Sequence, residues 1–247
     1  EVEWQVWLDD KSSPAYEMHG RSVTSVHYLS DDPEHEAFMA KWNSRVERNA
    51  SLKEAITVKR YPSGYTLDAG TFAHKVFALT SKEARSGTNR LIFLGSDVET
   101  LAAVDLAWLY NVLDGGDLIH LGRRDIRSSE TDFLAIGLYP GPRPPYCKGG
   151  LFLDTLRHIY TSGDIYNYAE WIDGHITGRL CEIFKGVGAD IRNLSEGLPG
   201  LDVFEKTVLG EKMRHWKGQR GKKALMEKLK SPEGAGEPLP EDAGEPL

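Results

Sequence analysis

The stretch Arg90-Leu91-Ile92-Phe93-Leu94-Gly95-Ser96-Asp97-Val98-Glu99 contains the strongest local structure signal of this chain. Its first five residues are rich in β-formers and precede a glycine, which predicts a strand that ends in a turn. Ser96 stands three residues before Glu99, the spacing of a capping box, and a long apolar run follows. Because that run surrounds most of a helix circumference, we expect a long helix from Val98 that is buried in the core.

On the N-terminal side of this stretch, the sequence predicts two strands and a helix. Alternation of apolar and polar residues over 2–8 and β-formers over 21–29 predict the strands. Asp32 followed by Pro33 predicts a helix start, since aspartate caps helices and proline fits the first helical position. Residues 75–79 are either a strand that pairs with 90–94 or part of a short helix from Thr71.

On the C-terminal side, the sequence predicts a further short strand over 118–121, and residues 133–139 form another apolar run. Helical periodicity predicts helices over 151–160 and 164–185, the second capped by Asp164. Strands and helices are therefore mixed along the chain. The predicted fold class is α+β, with a mainly antiparallel sheet and packed helices.

The distribution of charge divides the chain into three parts. Residues 1–204 form the predicted α+β body and carry a formal charge of −8. Residues 205–230 carry +6 and are mostly helix-forming, so they predict a basic helical arm. Residues 231–247 carry −5, and their Pro, Gly and Glu composition is typical of a disordered tail.

Composition limits the compartment and the class of the protein. The chain has 247 residues and a mean hydropathy of −0.42, and it lacks the run of about 18 apolar residues that a membrane span needs. Its first residues have neither the basic start nor the apolar run of a secretory signal. Two cysteines, Cys147 and Cys181, do not make a disulfide framework. We expect a cytoplasmic protein with no membrane partner and reduced thiols.

Common catalytic motifs are missing from the sequence. It contains no G-x-x-x-x-G-K-[ST] loop, no G-x-G-x-x-G, no H-E-x-x-H and no G-x-S-x-G. This argues against P-loop NTPases, Rossmann dehydrogenases, zincin proteases and α/β-hydrolases. It leaves open enzymes whose sites are assembled from residues far apart in sequence.

The sequence gives no clear metal or cofactor site. The nearest set of zinc-type ligands is Cys147, His158, His175 and Cys181, whose spacing fits no zinc module. Cys147 lies beside Lys148, but no histidine partner for a nucleophilic thiol is evident. Gly95-Ser96, between a strand and a helix, offers backbone N–H groups that suit a phosphate, although a capped turn explains it more simply. We therefore predict no metal and no cofactor.

The basic arm is the predicted nucleic-acid site. Lys and Arg neutralise phosphates, and an aromatic ring stacks on unpaired bases. The predicted contact residues are Lys212, Arg214, Trp216, Lys217, Arg220, Lys222 and Lys223. The alternative interpretation is a solvated helix balanced by the acidic body and by the tail. Residues 231–247 would compete with phosphate if they cover the same surface.

Two other functions stay open on the sequence alone. A motif-poor enzyme, such as a transferase or nuclease, would use scattered acids such as Glu170 and Asp173. The simpler interpretation places Glu170, Asp173 and His175 on a solvated helix face, with Gly174 allowing close packing. A protein-interaction module would use the Pro-rich loop at 140–145 or the acidic tail.

One stretch resembles a known family. The strand 90–94, Gly95 and the apolar helix predicted after them are together similar to a block of a phage and prophage family. Members of that family carry the domain of unknown function numbered 2786 and its C-terminal companion. A later helix of that family has an aromatic residue, a glycine and small residues before a closing leucine. The residues of this chain that are similar to it are Tyr166, Trp171, Gly174 and Leu180. The resemblance covers about residues 70–225, ending in the Gly- and Lys-rich run 218–223. The family's leading helical domain is absent.

This resemblance implies a mobile-element origin and no established activity. No functional residue can be carried over from it. Together with the charge pattern, it leads us to expect a non-enzymatic, phage- or prophage-type accessory protein. Its expected partner is nucleic acid, contacted through the basic arm, or another protein.

Overall fold

The structure of the protein is a computed structural model that describes residues 5–8, 25–42, 69–113, 116–123, 128–138, 148–168, 170–200 and 203–216. Its strands are β1 Gln5–Leu8, β2 Ser25–Tyr28, β3 Arg90–Leu94, β4 Val98–Thr100, β5 Leu118–Arg123, β6 Ser128–Gly137, β7 Ile191–Asn193 and β8 Met213–His215. Its α-helices are α1 Pro33–Trp42, α2 Ala69–Thr80, α3 Lys82–Arg85, α4 Leu106–Leu113, α5 Lys148–Thr161 and α6 Asp173–Gly186.

A four-stranded sheet in the order β3-β6-β5-β7 organises the described chain. β6 is antiparallel to both β3 and β5, whereas β7 is parallel to β5. Two smaller pairs flank it: β1 and β2 are parallel, and β4 and β8 are antiparallel. Helices pack on the sheet, so the predicted α+β class with packed helices is confirmed, and its sheets are mixed.

The side chains of the central sheet divide between two hydrophobic cores. Because successive residues of a strand point to opposite faces, Leu91 and Phe93 of β3 reach one core and Ile92 and Leu94 reach the other. The first core contains the helices α1, α2, α5 and α6, with Phe77, Phe152 and Tyr160 among its largest buried residues; the second lies on the opposite face. The sheet is therefore covered on both sides.

The second core is built partly from the C-terminal segment. Val203, Phe204, Leu209 and Met213 are buried there beside Ile119 and Phe133 of the sheet. Residues 205–216 consequently belong to the packed structure. They form two short 3₁₀ turns, Phe204–Lys206 and Val208–Glu211, and then strand β8.

Strand β8 replaces the helix that the sequence predicts over this part of the basic arm. Met213 and His215 are buried while Arg214 between them is exposed, the period of two that a strand edge requires. The alternation covers only three residues, and glycines at 210 and 218 flank it, so the sequence pattern is too short to separate strand from helix. The rest of the predicted arm, the acidic tail and the 140–145 loop lie outside the described residues.

The long buried helix predicted after Ser96 is wrong. Residues 98–100 form strand β4, which pairs with β8, and helix α4 begins only at Leu106. Asp105 caps this helix by accepting a hydrogen bond from the Trp108 backbone N–H at 2.7 Å. Within α4 only Val112 is buried, and Tyr110 is 72% exposed. Pairing with a strand more than 100 residues away therefore outweighs the local preference for a capped helix.

The helix predicted over 164–185 is interrupted. A 3₁₀ turn spans Asp164–Asn167, the chain then extends at Tyr168, and α6 begins at Asp173. Asp164 is not its cap, since Gly163 precedes the turn with a φ of +84°. Trp171 and Ile172 between the two helical pieces are buried, so burial of this linker offsets the loss of a continuous helix.

Most other local predictions are confirmed. β1, β2, β3, β5, α1 and α5 occur where the sequence placed them, and 75–79 adopts the helical alternative as part of α2. Asp32 caps α1 by accepting backbone hydrogen bonds from Glu34 and His35. No helix among the described residues is long and apolar enough to cross a membrane.

Candidate functional site

A bulge in β6 creates the most polar part of the central sheet. His120 of β5 pairs with Leu134, but the next residue, Leu121, pairs with Glu130. Thr131, Asp132 and Phe133 are therefore extra residues relative to β5. Bulges bend a strand and redirect its side chains, and here they bring Thr131 and Asp132 to charged groups from a helix.

Lys75 of α2 lies between two carboxylates. Its Nζ atom is 3.0 Å from Asp132 Oδ1 and 3.1 Å from Asp173 Oδ2, and it donates a hydrogen bond to Thr131 Oγ1 at 3.1 Å. Thr131 Oγ1 in turn donates to Asp173 Oδ2 at 2.6 Å. Burial opposes the charge of Lys75, but the two carboxylates outweigh it and raise its pKa above the ordinary value. Lys75 is thus held as a cation.

Asp173 enters this arrangement from the first turn of α6. Its side chain is only 6% exposed, and its Oδ1 accepts a hydrogen bond from the Gly174 backbone N–H at 2.8 Å. The prediction of a solvated polar face is therefore wrong for Asp173. Glu170 and His175 lie together elsewhere, with 3.9 Å between Glu170 Oε2 and His175 Nδ1.

Gly174 allows the start of α6 to approach the bulged strand. A Cβ atom at this position would lie 2.5 Å from the backbone oxygen of Ser129. The predicted packing role of Gly174 is confirmed. Close contact between α6 and β6 is what places Asp173 beside Lys75.

His215 of β8 joins Asp132 to a third carboxylate. Its Nε2 atom is 3.1 Å from Asp132 Oδ2 and 3.5 Å from Asp97 Oδ1, and its side chain is 2% exposed. Burial lowers the pKa of His215, but hydrogen bonds to Asp132 and Asp97 outweigh it and raise the pKa to about 9. We call Lys75, Asp97, Asp132, Asp173 and His215 the charge cluster.

Gly95 opens the turn that supplies Asp97 to the charge cluster. A Cβ atom at Gly95 would lie 2.4 Å from Asp132 Oδ1 and 2.9 Å from its Cβ. The Gly95 backbone N–H also donates to the Asp132 carbonyl at 2.9 Å. The glycine that the sequence placed at the end of a strand is thus required by the position of Asp132.

A second polar group lies on the other part of the β5–β6 pair. His120 Nδ1 is 2.8 Å from Ser129 Oγ, and Arg123 forms an ion pair with Glu130. Burial, with a smaller effect of the Lys185 charge, lowers the pKa of His120 to about 4. His120 is neutral at pH 7.

The low pKa of His120 predicts acid sensitivity. Unfolded His120 binds a proton below about pH 6.5, whereas the folded residue stays neutral down to about pH 4, so stability is lost as pH falls through this window. Between pH 7 and pH 5 we expect the wild type to lose about 2 kcal/mol more unfolding free energy than His120→Gln. Urea unfolding at both values measures it.

The exposed His158 provides the matched control for this experiment. His158→Gln should keep the pH dependence of the wild type. Parallel pH curves for the wild type and His120→Gln would contradict the prediction.

Three of the predicted nucleic-acid residues lie within the described chain. Arg214 is exposed on β8, its guanidinium is 5.4 Å from the Trp216 ring centroid, and its Nε is 4.0 Å from Glu205. Trp216 is half-buried, and its Nε1 donates to Glu99 Oε2 at 3.0 Å. Lys212 precedes β8 at a partly exposed position. The remaining predicted contacts, Lys217, Arg220, Lys222 and Lys223, lie outside the described residues.

Sequence reasoning did not select Lys75, Asp97 or Asp132 and included His215 only as a neighbour of basic residues. One signal was available: Asp132 is a carboxylate directly before the apolar run 133–138, where strand residues are expected to be buried. Its partners are 57, 35 and 83 positions away along the chain. Local patterns contain no information about such contacts.

Of the two cysteines, only Cys181 lies within the described residues. Cys181 is free and buried, and its burial raises the pKa of the thiol above the ordinary value. Cys147, the suggested nucleophile and zinc ligand, lies outside the described residues.

Comparison with known proteins gave no match. A scan of protein-family models, a search of curated proteins and a search of solved structures found nothing similar to this chain. The resemblance to the phage and prophage family stays a prediction. Function must therefore be argued from the site itself.

Proposed function

We propose that this protein binds nucleic acid through the outer face of β8 and the basic residues that follow it. The observation that carries the proposal is the alternation of β8. Met213 and His215 anchor the strand in the interior, and Arg214 projects outward beside the ring of Trp216. A fixed strand therefore presents a cation and an aromatic ring side by side.

This pairing suits a phosphate chain with unstacked bases. Arginine neutralises phosphate and stacks on planar groups, and an aromatic ring offers a surface to any base. In the sequence, four more basic residues follow within seven positions of Trp216: Lys217, Arg220, Lys222 and Lys223. The binding energy would then be largely electrostatic and sensitive to salt.

A neighbouring acid competes with phosphate for Arg214. Glu205 lies 4.0 Å from Arg214, but both side chains are about half exposed. Exposed ion pairs contribute only about 0–1 kcal/mol, so a phosphate can replace Glu205 as the partner of Arg214. The ion pair does not block the surface.

Binding to a single-stranded oligonucleotide at low salt, followed by fluorescence anisotropy, tests the proposal. Arg214→Ala together with Trp216→Ala should weaken binding at least about tenfold, since stacking contributes about 1–3 kcal/mol per base. Affinity should also fall steeply as salt rises.

Arg179→Ala is the matched control, because Arg179 is also exposed and paired with a glutamate, Glu182, but lies on α6. Its affinity should equal that of the wild type. Equal affinity of the Arg214/Trp216 variant and the wild type would overturn the proposal.

An enzyme of a motif-poor class is the second candidate function. The observation that favours it is Asp173, one of the acids suggested from sequence, which is buried against Lys75 and Thr131. Lys75 is itself buried, and the pKa of its ammonium is raised by the carboxylates beside it. Such buried groups are concentrated at active sites, although structural networks share the property. Nuclease activity that disappears in Asp173→Asn, with nucleic-acid binding unchanged, would support this function.

Nucleic-acid binding is consistent with a cytoplasmic location, and a protein-interaction function is a further alternative. We place the protein in the cytoplasm, where nucleic acid is accessible and the free Cys181 stays reduced. A role as a phage- or prophage-type accessory protein is compatible with this proposal. A protein-interaction function would depend on 140–145 or 231–247, outside the described residues.

A further inference from the structure

Three ligand-type atoms of the charge cluster converge on one point. They are His215 Nε2, Asp132 Oδ2 and Asp97 Oδ1, with 3.1 Å between the first and second and 3.5 Å between the first and third. One ligand atom from each residue lies within 4.8 Å of the other two. Loops and strands far apart in sequence supply them: the turn after β3, the β6 bulge and β8.

These separations match the edges of a metal coordination shell. With metal–ligand bonds of about 2.1 Å, neighbouring ligands stand about 3.0 Å apart in an octahedral site and about 3.4 Å apart in a tetrahedral one. The distances from His215 Nε2 to Asp132 Oδ2 and to Asp97 Oδ1 lie close to this range. A cation could therefore be held with little movement of the backbone.

The charges of the cluster also suit a cation. Asp97, Asp132 and Asp173 bring three negative charges, and Lys75 supplies one positive charge. His215 is protonated in the metal-free cluster, as its raised pKa indicates, and the five groups then carry a net charge of −1. A divalent ion that binds Nε2 displaces this proton, and the cluster with the bound ion is neutral. Buried carboxylates normally require such compensation.

The surroundings fix two of the three ligands. Lys75 bonds Asp132 through Oδ1 and so leaves Oδ2 directed at His215. The Trp216 backbone N–H donates to the Asp97 carbonyl at 2.9 Å and holds the turn beside β8. Ligands that are oriented by a second set of contacts are typical of protein metal sites.

We propose that Asp97, Asp132 and His215 bind one divalent cation through Oδ1, Oδ2 and Nε2. Two carboxylates and one imidazole suit Mn²⁺ or Zn²⁺. Three protein ligands leave coordination positions for water. The cation would lie on the inner side of the strand whose outer face presents Arg214 and Trp216, and it would hold the turn at Asp97 and the β6 bulge against that strand.

Titration of the untagged, chelator-treated full-length chain with Mn²⁺, followed by electron paramagnetic resonance, tests the site without nucleic acid. The wild type should bind one Mn²⁺ per chain, and Asp97→Asn should weaken binding at least about tenfold. Mn²⁺ should raise the melting temperature of the wild type and leave that of Asp97→Asn unchanged. Zn²⁺ titrated by calorimetry provides the second probe.

Asp97→Asn is nearly isosteric and sits at a partly exposed turn, so it tests the site without changing the buried His215. The control is Asp154→Asn, which removes an exposed carboxylate on α5 and should bind Mn²⁺ like the wild type. Absence of saturable binding of both metals, or equal binding by Asp97→Asn and the wild type, would overturn the proposal. Neither result bears on Arg214 and Trp216, which are not ligands.

Discussion

Replacing Lys75 by methionine should lower the free energy of unfolding by about 3–5 kcal/mol. Methionine has nearly the same length and fills the space beside Phe93, but it removes the ammonium that pairs with both Asp132 and Asp173. Asp173 would then be buried without the ammonium that neutralises it, and Asp132 would keep only His215. Such uncompensated burial costs several kcal/mol, whereas loss of packing alone is small in this substitution.

Urea unfolding followed by circular dichroism measures this effect. The double variant Lys75→Met/Asp173→Asn should recover part of the loss, because asparagine removes one uncompensated charge and Asp132 keeps His215 as its partner. Arg179→Met is the control: it breaks an exposed pair with Glu182 and should cost less than about 1 kcal/mol. A loss of that size in Lys75→Met would show that the cluster is not a buried charge network.

Gly174→Ala should destabilise the protein by about 1–3 kcal/mol, the opposite of what helix propensity predicts. The added Cβ would meet the Ser129 backbone oxygen at 2.5 Å and Ser128 Oγ at 3.1 Å. Since the backbone of β6 cannot move aside cheaply, α6 must shift. Such a shift pulls Asp173 from Lys75 and strains the cluster.

The same helix provides a control of opposite sign. Gly186 is the last residue of α6, and a Cβ there would meet nothing within 4 Å. Gly186→Ala should therefore be neutral or stabilising by up to about 1 kcal/mol. Thermal and urea unfolding of both variants measure the difference. A stabilising Gly174→Ala would contradict the close contact between α6 and β6.

Short periodic patterns were reliable where local physics decides the structure. Residues 90–94 predicted β3 because a run of β-forming residues before a glycine favours a strand, and its consecutive apolar side chains serve the two cores. Asp32 and Pro33 predicted the start of α1 because a cap and a fixed φ act within one turn. The mixture of such elements was sufficient for the α+β class.

The same patterns failed where distant partners compete with a local preference. Ser96 and Glu99 have the spacing of a capping box, yet β8 supplies backbone partners to 98–100 and Trp216 takes the Glu99 carboxylate. Asp173 has the spacing of a solvated helix face, yet Lys75 lies 3.1 Å from it. In both cases a contact across the fold outweighs a preference of a few tenths to about 1 kcal/mol.

Strands β1, β2, β3 and β5, the start of α1 and the unequal distribution of charge follow from the sequence, because each depends on neighbours within a few residues. The charge cluster forms only in the folded chain. Its members come from α2, the turn after β3, the β6 bulge, α6 and β8, and the bulge and the close approach at Gly174 bring them together. Tertiary packing also decides which residues of the basic arm are accessible. His215 turns inward to Asp97 and Asp132, while Arg214 faces solvent.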